Sequence, residues 1–190
     1  PRGGRAAETY GESPRLIADL CSAYIRGLQG NHSHYLKLAA TVKHYGFYSG
    51  PECDAGCPHL STDRVHFNVV VDSQDSFQSY LPAFELAVAN LSVGGGQSAS
   101  VMSSFSHVNG IHMANHKQLL QQILRNQFGF TGFVVTDWDS INHFEQDGNY
   151  ELLPNKTWKK QSCTNQSLCH SLWVRRAATC LLAGTDMDLR

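Results

Sequence analysis

Residues 132–140 read GFVVTDWDS, an apolar run that stops on Asp137, Trp138 and Asp139. Phe133, Val134 and Val135 are aromatic or β-branched, which suits a strand. Their unbroken apolar character is what a strand covered on both faces requires. A carboxylate and an indole then arrive just where the strand ends, at the mouth of a sheet. Upstream, NHKQLLQQILRNQFG (115–129) has helical spacing and stops at Gly129, and SASVMSSF (98–105) reads as a strand with small neighbours. Downstream, SLWVRRAATCLLAG (171–184) reads as a helix running into a possible fourth strand, TDMDL (185–189).

The same alternation extends toward the N-terminus. SPRLIADLCSAYIRGLQG (13–30) opens with a Ser13 cap and Pro14 at the first helical position. It carries Leu16, Ile17, Leu20, Tyr24 and Leu28 at helical spacing, the expected buried face, and ends at Gly30. YLKLAATVKHY (35–45) is an apolar run whose polar residues, Lys43 and His44, come at its end. SYLPAFELAVANL (79–91) is helical and is broken by Gly94, Gly95 and Gly96. No internal repeat or low-complexity segment interrupts the pattern.

Strand and helix in alternation predict a parallel sheet covered by helices. A doubly wound nucleotide-binding sheet would need a glycine-rich turn opening a helix after a strand. None follows these strands, and SVGGGQS (92–98) precedes one instead. A (β/α)8-type TIM barrel predicts that chemically active residues gather past the C-terminal strand ends. The strand ends deliver Lys43 and His44, then Ser103, Ser104 and Phe105, then Asp137 and Trp138, then Asp186 and Asp188, which are expected to share one mouth. A carboxylate beside cationic donors and an aromatic plate suits glycoside cleavage, with an Asp attacking the anomeric carbon and sugars stacking on an indole.

Composition limits the alternatives. At 190 residues and 42% hydrophobic, the chain can bury one sizeable core, and it is expected to form one domain over 1–190. A net charge of −1 gives no electrostatic footprint for nucleic acid. No apolar run reaches the roughly 20 residues of a membrane span. Cys53 and Cys57, and Cys163 and Cys169, are spaced to close small disulfide rings, with free thiols as the alternative. Asn31, Asn90, Asn155 and Asn165 begin glycosylation sequons. Together these point to a secreted, extracellular or lysosomal protein. His32 and His34 lack a nearby Cys or His pair and read as surface histidines, so no metal and no cofactor are expected.

Seven segments carry a resemblance to a known family: GGRAAETYGESP (3–14), YIRGLQG (24–30), ATVKHYGFYSG (40–50), YLPAFE (80–85), SVMSSFSHVNG (100–110), QILRNQFGFTGFVVTDWDS (122–140) and LLAGTDMDL (181–189). In this order and spacing the chain resembles the N-terminal barrel domain of glycoside hydrolase family 3, with weaker likeness over 50–66 and 143–170. The resemblance implies a retaining, exo-acting β-glycosidase with Asp137 as nucleophile. It implies that Arg5, Lys43 and His44 bind sugar hydroxyls and that Trp138 lines the same subsite. DRVHFNVVVDSQDSFQSYLPAFE (63–85) is most similar to the β-xylosidase and α-L-arabinofuranosidase branch, while TDW is also typical of β-glucosidases.

The resemblance also implies missing pieces. The barrel is expected to be incomplete, a fragment lacking its first strands and the following α/β sandwich domain, which in the family supplies the acid/base Glu. Such a fragment alone is expected to be poorly stable and nearly inactive. Glu145, Asp147 and Glu151 are expected to be exposed rather than catalytic. Phe105 stands where many members place a Tyr near the nucleophile. Its missing hydroxyl is expected to raise the pKa of Asp137 or to misplace it. That departure motivates the alternative of a non-catalytic carbohydrate- or protein-binding descendant.

Overall fold

A computed structural model describes residues 3–50, 64–65, 67–143, 150–152, 158–160 and 166–187. Helix α1 spans Pro14–Gln29: the Ser13 side chain accepts the Leu16 N–H at 3.4 Å, Pro14 occupies the first turn, and Gly30 closes the helix at φ 77°. Strand β1 is Thr41–Tyr45, β2 is Asn68–Val69, and the one-turn helix α2, Ser73–Asp75, is capped by Asp72. A π-wound turn, Ser76–Tyr80, leads into α3, Pro82–Val88. Strands β3 (Ser100–Ser103), β4 (His107–Val108) and β5 (Ile111–His112) precede a π-wound helix over Gln118–Gln127. Then follow β6 (Phe133–Thr136), β7 (Tyr150–Leu152), β8 (Trp158–Lys160) and α4 (Gln166–Ala183).

The central sheet runs β1-β3-β6, all parallel, with Val42 opposite Val101 and Val101 opposite Val134. Met187 adds a fourth parallel position through a bridge to Val135, as expected for the TDMDL segment. Chain order and sheet order coincide, and a helix lies between each pair of neighbours. The fold is therefore mixed α/β; no closed barrel is formed among the described residues. β3 and β6 are buried along most of their length, which explains why their sequences lack alternation.

The core gathers where the π-wound helix meets this sheet. Leu119, Leu120, Ile123 and Leu124 pack with Tyr45, Val101, Met113, Phe128, Phe130 and Val134. Leu120 and Leu124 are fully enclosed, and burying each contributes roughly 1.5–3 kcal/mol.

Helix α1 departs from the sequence expectation. Its buried residues are Ala18, Ser22, Ile25 and Gln29, whereas Leu16, Leu20 and Tyr24 are exposed. Gln29 explains part of the rotation: its amide donates to the Gln97 carbonyl at 2.9 Å, and its oxygen accepts the Ala99 N–H at 2.8 Å. Arg26 donates to the Gly94 and Gly95 carbonyls. A Cβ on Gly95 would lie 2.1 Å from the Ala89 carbonyl oxygen, so only glycine allows the close approach. Small and amide side chains, not the largest apolar ones, set the docked face.

A smaller sheet, β2-β4-β5, was not anticipated. It joins β2 to β4 in parallel and β4 to β5 through Asn109 and Gly110, both at positive φ. Asn-Gly is a strong two-residue hairpin signal. A third sheet is the β7-β8 hairpin. The pair Cys53/Cys57, Cys163, the sequons at Asn155 and Asn165, Glu145, Asp147 and Asp188 lie outside the described residues, as do the side chains of Cys169 and Glu151. Asn31 and Asn90 are exposed, and so are His32 and His34.

Candidate active site

The C-terminal ends of β1 and β6 lie side by side across β3, and this places His44 beside Asp137. His44 Nε2 stands 3.1 Å from Asp137 Oδ2, with the two side chains only 6% and 14% exposed. The contact is oblique, since Oδ2 is buried without an aligned hydrogen-bond donor. Asp137 Oδ1 accepts the Trp138 N–H at 2.7 Å, and the Asp137 N–H donates to the Ser103 carbonyl. Burial works against the charged carboxylate. The His44 contact, the Trp138 N–H and the Arg64 charge outweigh it and hold Asp137 below the usual carboxylate range. This is opposite to the upward shift expected from Phe105: the His44 contact does most to lower it, the Trp138 N–H adds to that, and the Arg64 charge contributes least. The Arg64 guanidinium carbon lies 5.6 Å from the Phe105 ring centroid and 5.9 Å from that of Tyr48.

Arg5 and Lys43 join the same region through a residue that sequence reasoning did not single out. Lys43 Nζ donates to Glu8 Oε2 at 2.9 Å, and Arg5 pairs with Glu8 Oε1. Hydrogen bonds from Lys43 and Arg5 hold Glu8 below the ordinary carboxyl range. Glu8 stands three residues after Arg5 within the GGRAAETYGESP stretch, so its position in that motif was the available signal. Arg5, Glu8, Lys43, His44 and Tyr48 line a cavity of about 260 Å³ whose apolar wall includes Ile17, Val42 and Phe84. Asp137 stands behind His44 and is not part of that lining. Trp138 is 65% exposed on the turn after β6, outside the cavity wall.

Asp186 does not share this mouth. Its carboxylate accepts the Val134 N–H and pairs with Arg125, both at 2.6 Å, at the opposite end of β6. The mouth assignment placed Asp186 and Asp188 together at the end of the short TDMDL strand, whereas Met187 is the residue that bridges to β6, so Asp186 falls before that contact. Ser103 and Ser104 are buried, and the Ser104 hydroxyl donates to the Gly46 carbonyl. Among the described residues, no group of three or more His, Cys, Asp or Glu side chains could hold a metal ion. No helix among them is long and apolar enough to cross a membrane.

With this geometry in hand, comparison with known proteins is decisive at the level of family. Residues 1–189 match the glycosyl hydrolase family 3 N-terminal domain. The chain belongs to glycosyl hydrolase family 3. Beta-D-xylosidase 1 of Arabidopsis thaliana is 36% identical over 82% of the chain and 19% of its own length. A beta-glucosidase of Bacteroides ovatus is 34% identical over 80% of the chain and 18% of its own length. Among solved structures, a family 3 exo-beta-xylosidase carrying a xylobiose aziridine activity-based probe superposes with a TM-score of 0.73 and 28% identity, covering 99% of the chain and 21% of that protein. The family 3 chain thus spans about a fifth of the length of the curated relatives it matches.

Proposed function

We propose that this family 3 chain is the nucleophile-bearing part of a retaining, exo-acting β-glycosidase, and that its four parallel strand positions are an arc of a (β/α)8 barrel. The observation that carries the reading is the Asp137–His44 pair, a buried carboxylate held ionised and only partly satisfied. A carboxylate kept charged is suited to attack and unsuited to act as a proton donor. One Asp137 oxygen forms a bond to the anomeric carbon while the bond from that carbon to the leaving oxygen breaks. A carboxylic acid from outside this chain protonates the leaving oxygen, and water, deprotonated by the same group, then cleaves the glycosyl ester. His44, Lys43 and Arg5 bind the hydroxyls of the sugar, and Glu8 spaces the last two. Trp138, exposed beside the nucleophile, offers a stacking face. Names of similar proteins support β-linked xylose or glucose as the sugar.

The test is to treat the full-length protein with 2-fluoro-glycoside inactivators of the xylo and gluco series and map the adduct by peptide mass. Labelling of Asp137 is expected, and an adduct on another residue refutes the assignment. Phe105 supports a second reading, a binding descendant without turnover, since a ring packed under Arg64 replaces a hydroxyl donor. That reading predicts glycoside binding with no adduct. Passage through the secretory route is also proposed, from the exposed sequons at Asn31 and Asn90. Loss of mass on enzymatic deglycosylation of the protein from its native source checks it.

A further inference from the structure

Tyr48 contacts both His44 and Arg64, two of the side chains that act on Asp137, and no part of the proposed reaction uses it. Its ring lies 4.5 Å from that of His44, centroid to centroid, at a tilt of 41°. Its hydroxyl accepts a hydrogen bond from Arg64 and a further one from Arg5. Arg64 in turn lies over both the Tyr48 and Phe105 rings. The groups acting on the carboxylate are therefore His44 from β1, Tyr48 from the loop after it, Arg64 from the segment before β2, and the Trp138 N–H from its own turn. Two of the three side chains, His44 and Arg64, touch Tyr48 directly.

We propose that Tyr48 is a positioning residue for the nucleophile: its ring sets the His44 imidazole against Asp137, and its hydroxyl anchors the Arg64 guanidinium near the same carboxylate. The phenol does this without touching the reacting atoms. The Tyr48 ring packs on the His44 imidazole, whose contact with Oδ2 is oblique, and so bears on the angle of its approach. Arg64 donates to the Tyr48 hydroxyl and lies over the Tyr48 and Phe105 rings, so Tyr48 offers it both an acceptor and a ring face. The inference rests on Asp137 being the nucleophile.

The experiment uses the full-length enzyme and the pH profile of kcat/KM with an aryl β-glycoside. Tyr48→Phe keeps the ring and removes the anchor. It is expected to lower kcat/KM about tenfold, chiefly through kcat, which is the usual worth of one charge-assisted hydrogen bond. It is also expected to move the acid limb upward by about half a pH unit or more, because Asp137 loses the nearby positive charge. Arg64→Gln should shift the limb the same way, and the double variant should shift it no further than the larger single change. An unchanged acid limb in Tyr48→Phe, or fully additive shifts, overturns the proposal even if the rate falls, since loss of packing alone would not move the limb. Inactivator labelling of the wild type separates the two levels. If Asp137 is not labelled, the nucleophile reading fails; if it is labelled and the limb stays put, only the role of Tyr48 fails.

Discussion

Two aspartates stand at opposite ends of β6, and each faces a nitrogen-bearing side chain, His44 or Arg125, yet they are built differently. Asp186 Oδ2 takes the Val134 N–H and the Arg125 guanidinium at 2.6 Å each, and Arg125 also donates to the Gly132 and Gly184 carbonyls. Asp137 has one aligned hydrogen bond, an oblique His44 contact and a buried oxygen with no directed donor. A carboxylate whose lone pairs are used by the backbone is a clasp. One that is desolvated and left partly unpartnered retains affinity for something else, since an unsatisfied buried acceptor costs about 1–3 kcal/mol. Under the proposed function, the two ends of one four-residue strand thus separate the roles of stability and chemistry, as the two ends of barrel strands commonly do.

Substitution at the two ends should divide the same way. The largest effect is expected from Asp137→Asn in the full-length enzyme. A fall in turnover of at least about a thousandfold with little change in unfolding midpoint is the expected result; retained turnover would erase the distinction between the ends. His44→Gln should lower kcat/KM about a hundredfold and move its acid limb upward. The sign follows from the lowered pKa of Asp137, which keeps the carboxylate charged below the ordinary value of roughly 3.9. Without the imidazole, protonation and loss of activity come at higher pH. By the same linkage, the depressed pKa contributes stability above that ordinary value and loses it as pH falls through the folded one.

The other end should respond in stability alone. Asp186→Ala is expected to cost about 2 kcal/mol in denaturant unfolding, mostly by orphaning the Val134 N–H, with kcat/KM unchanged. Arg125→Lys should cost about 1 kcal/mol, because an ammonium cannot span the Gly132, Gly184 and Asp186 oxygens at once. A change in the pH profile of either variant would show that the two ends of β6 are coupled.

The elements themselves were largely legible. Ser13, Pro14 and Gly30 bound α1, and the runs at 41–45, 100–103 and 133–136 became the parallel sheet, because capping and, along β3 and β6, burial on both faces leave local marks; in β1 only Tyr45 is buried. Less legible was the docked face of α1. Large apolar residues at helical spacing pointed to Leu16, Leu20 and Tyr24, but Gln29 and Arg26 bind loop carbonyls and turn the helix the other way. At the site, Arg5, Lys43, His44 and Asp137 could be picked out by motif. Glu8 had only its place in the Arg5 motif as a signal, and Tyr48 and Arg64 had none, since nothing local distinguishes a linking side chain from a solvated one.

The sequence alone determined the alternation of strand and helix, the candidate site residues and the family to which the chain belongs. Those depend on local propensity, on periodicity and on motifs a few residues long. Only the tertiary structure decided that Asp137 meets His44 while Asp186 is used by the backbone, and that the His44 contact, with the Trp138 N–H and the Arg64 charge, holds the Asp137 carboxyl below its ordinary range. Charge interactions in a desolvated site depend on a few ångströms between residues dozens of positions apart, and that distance is set by the packing of the whole sheet.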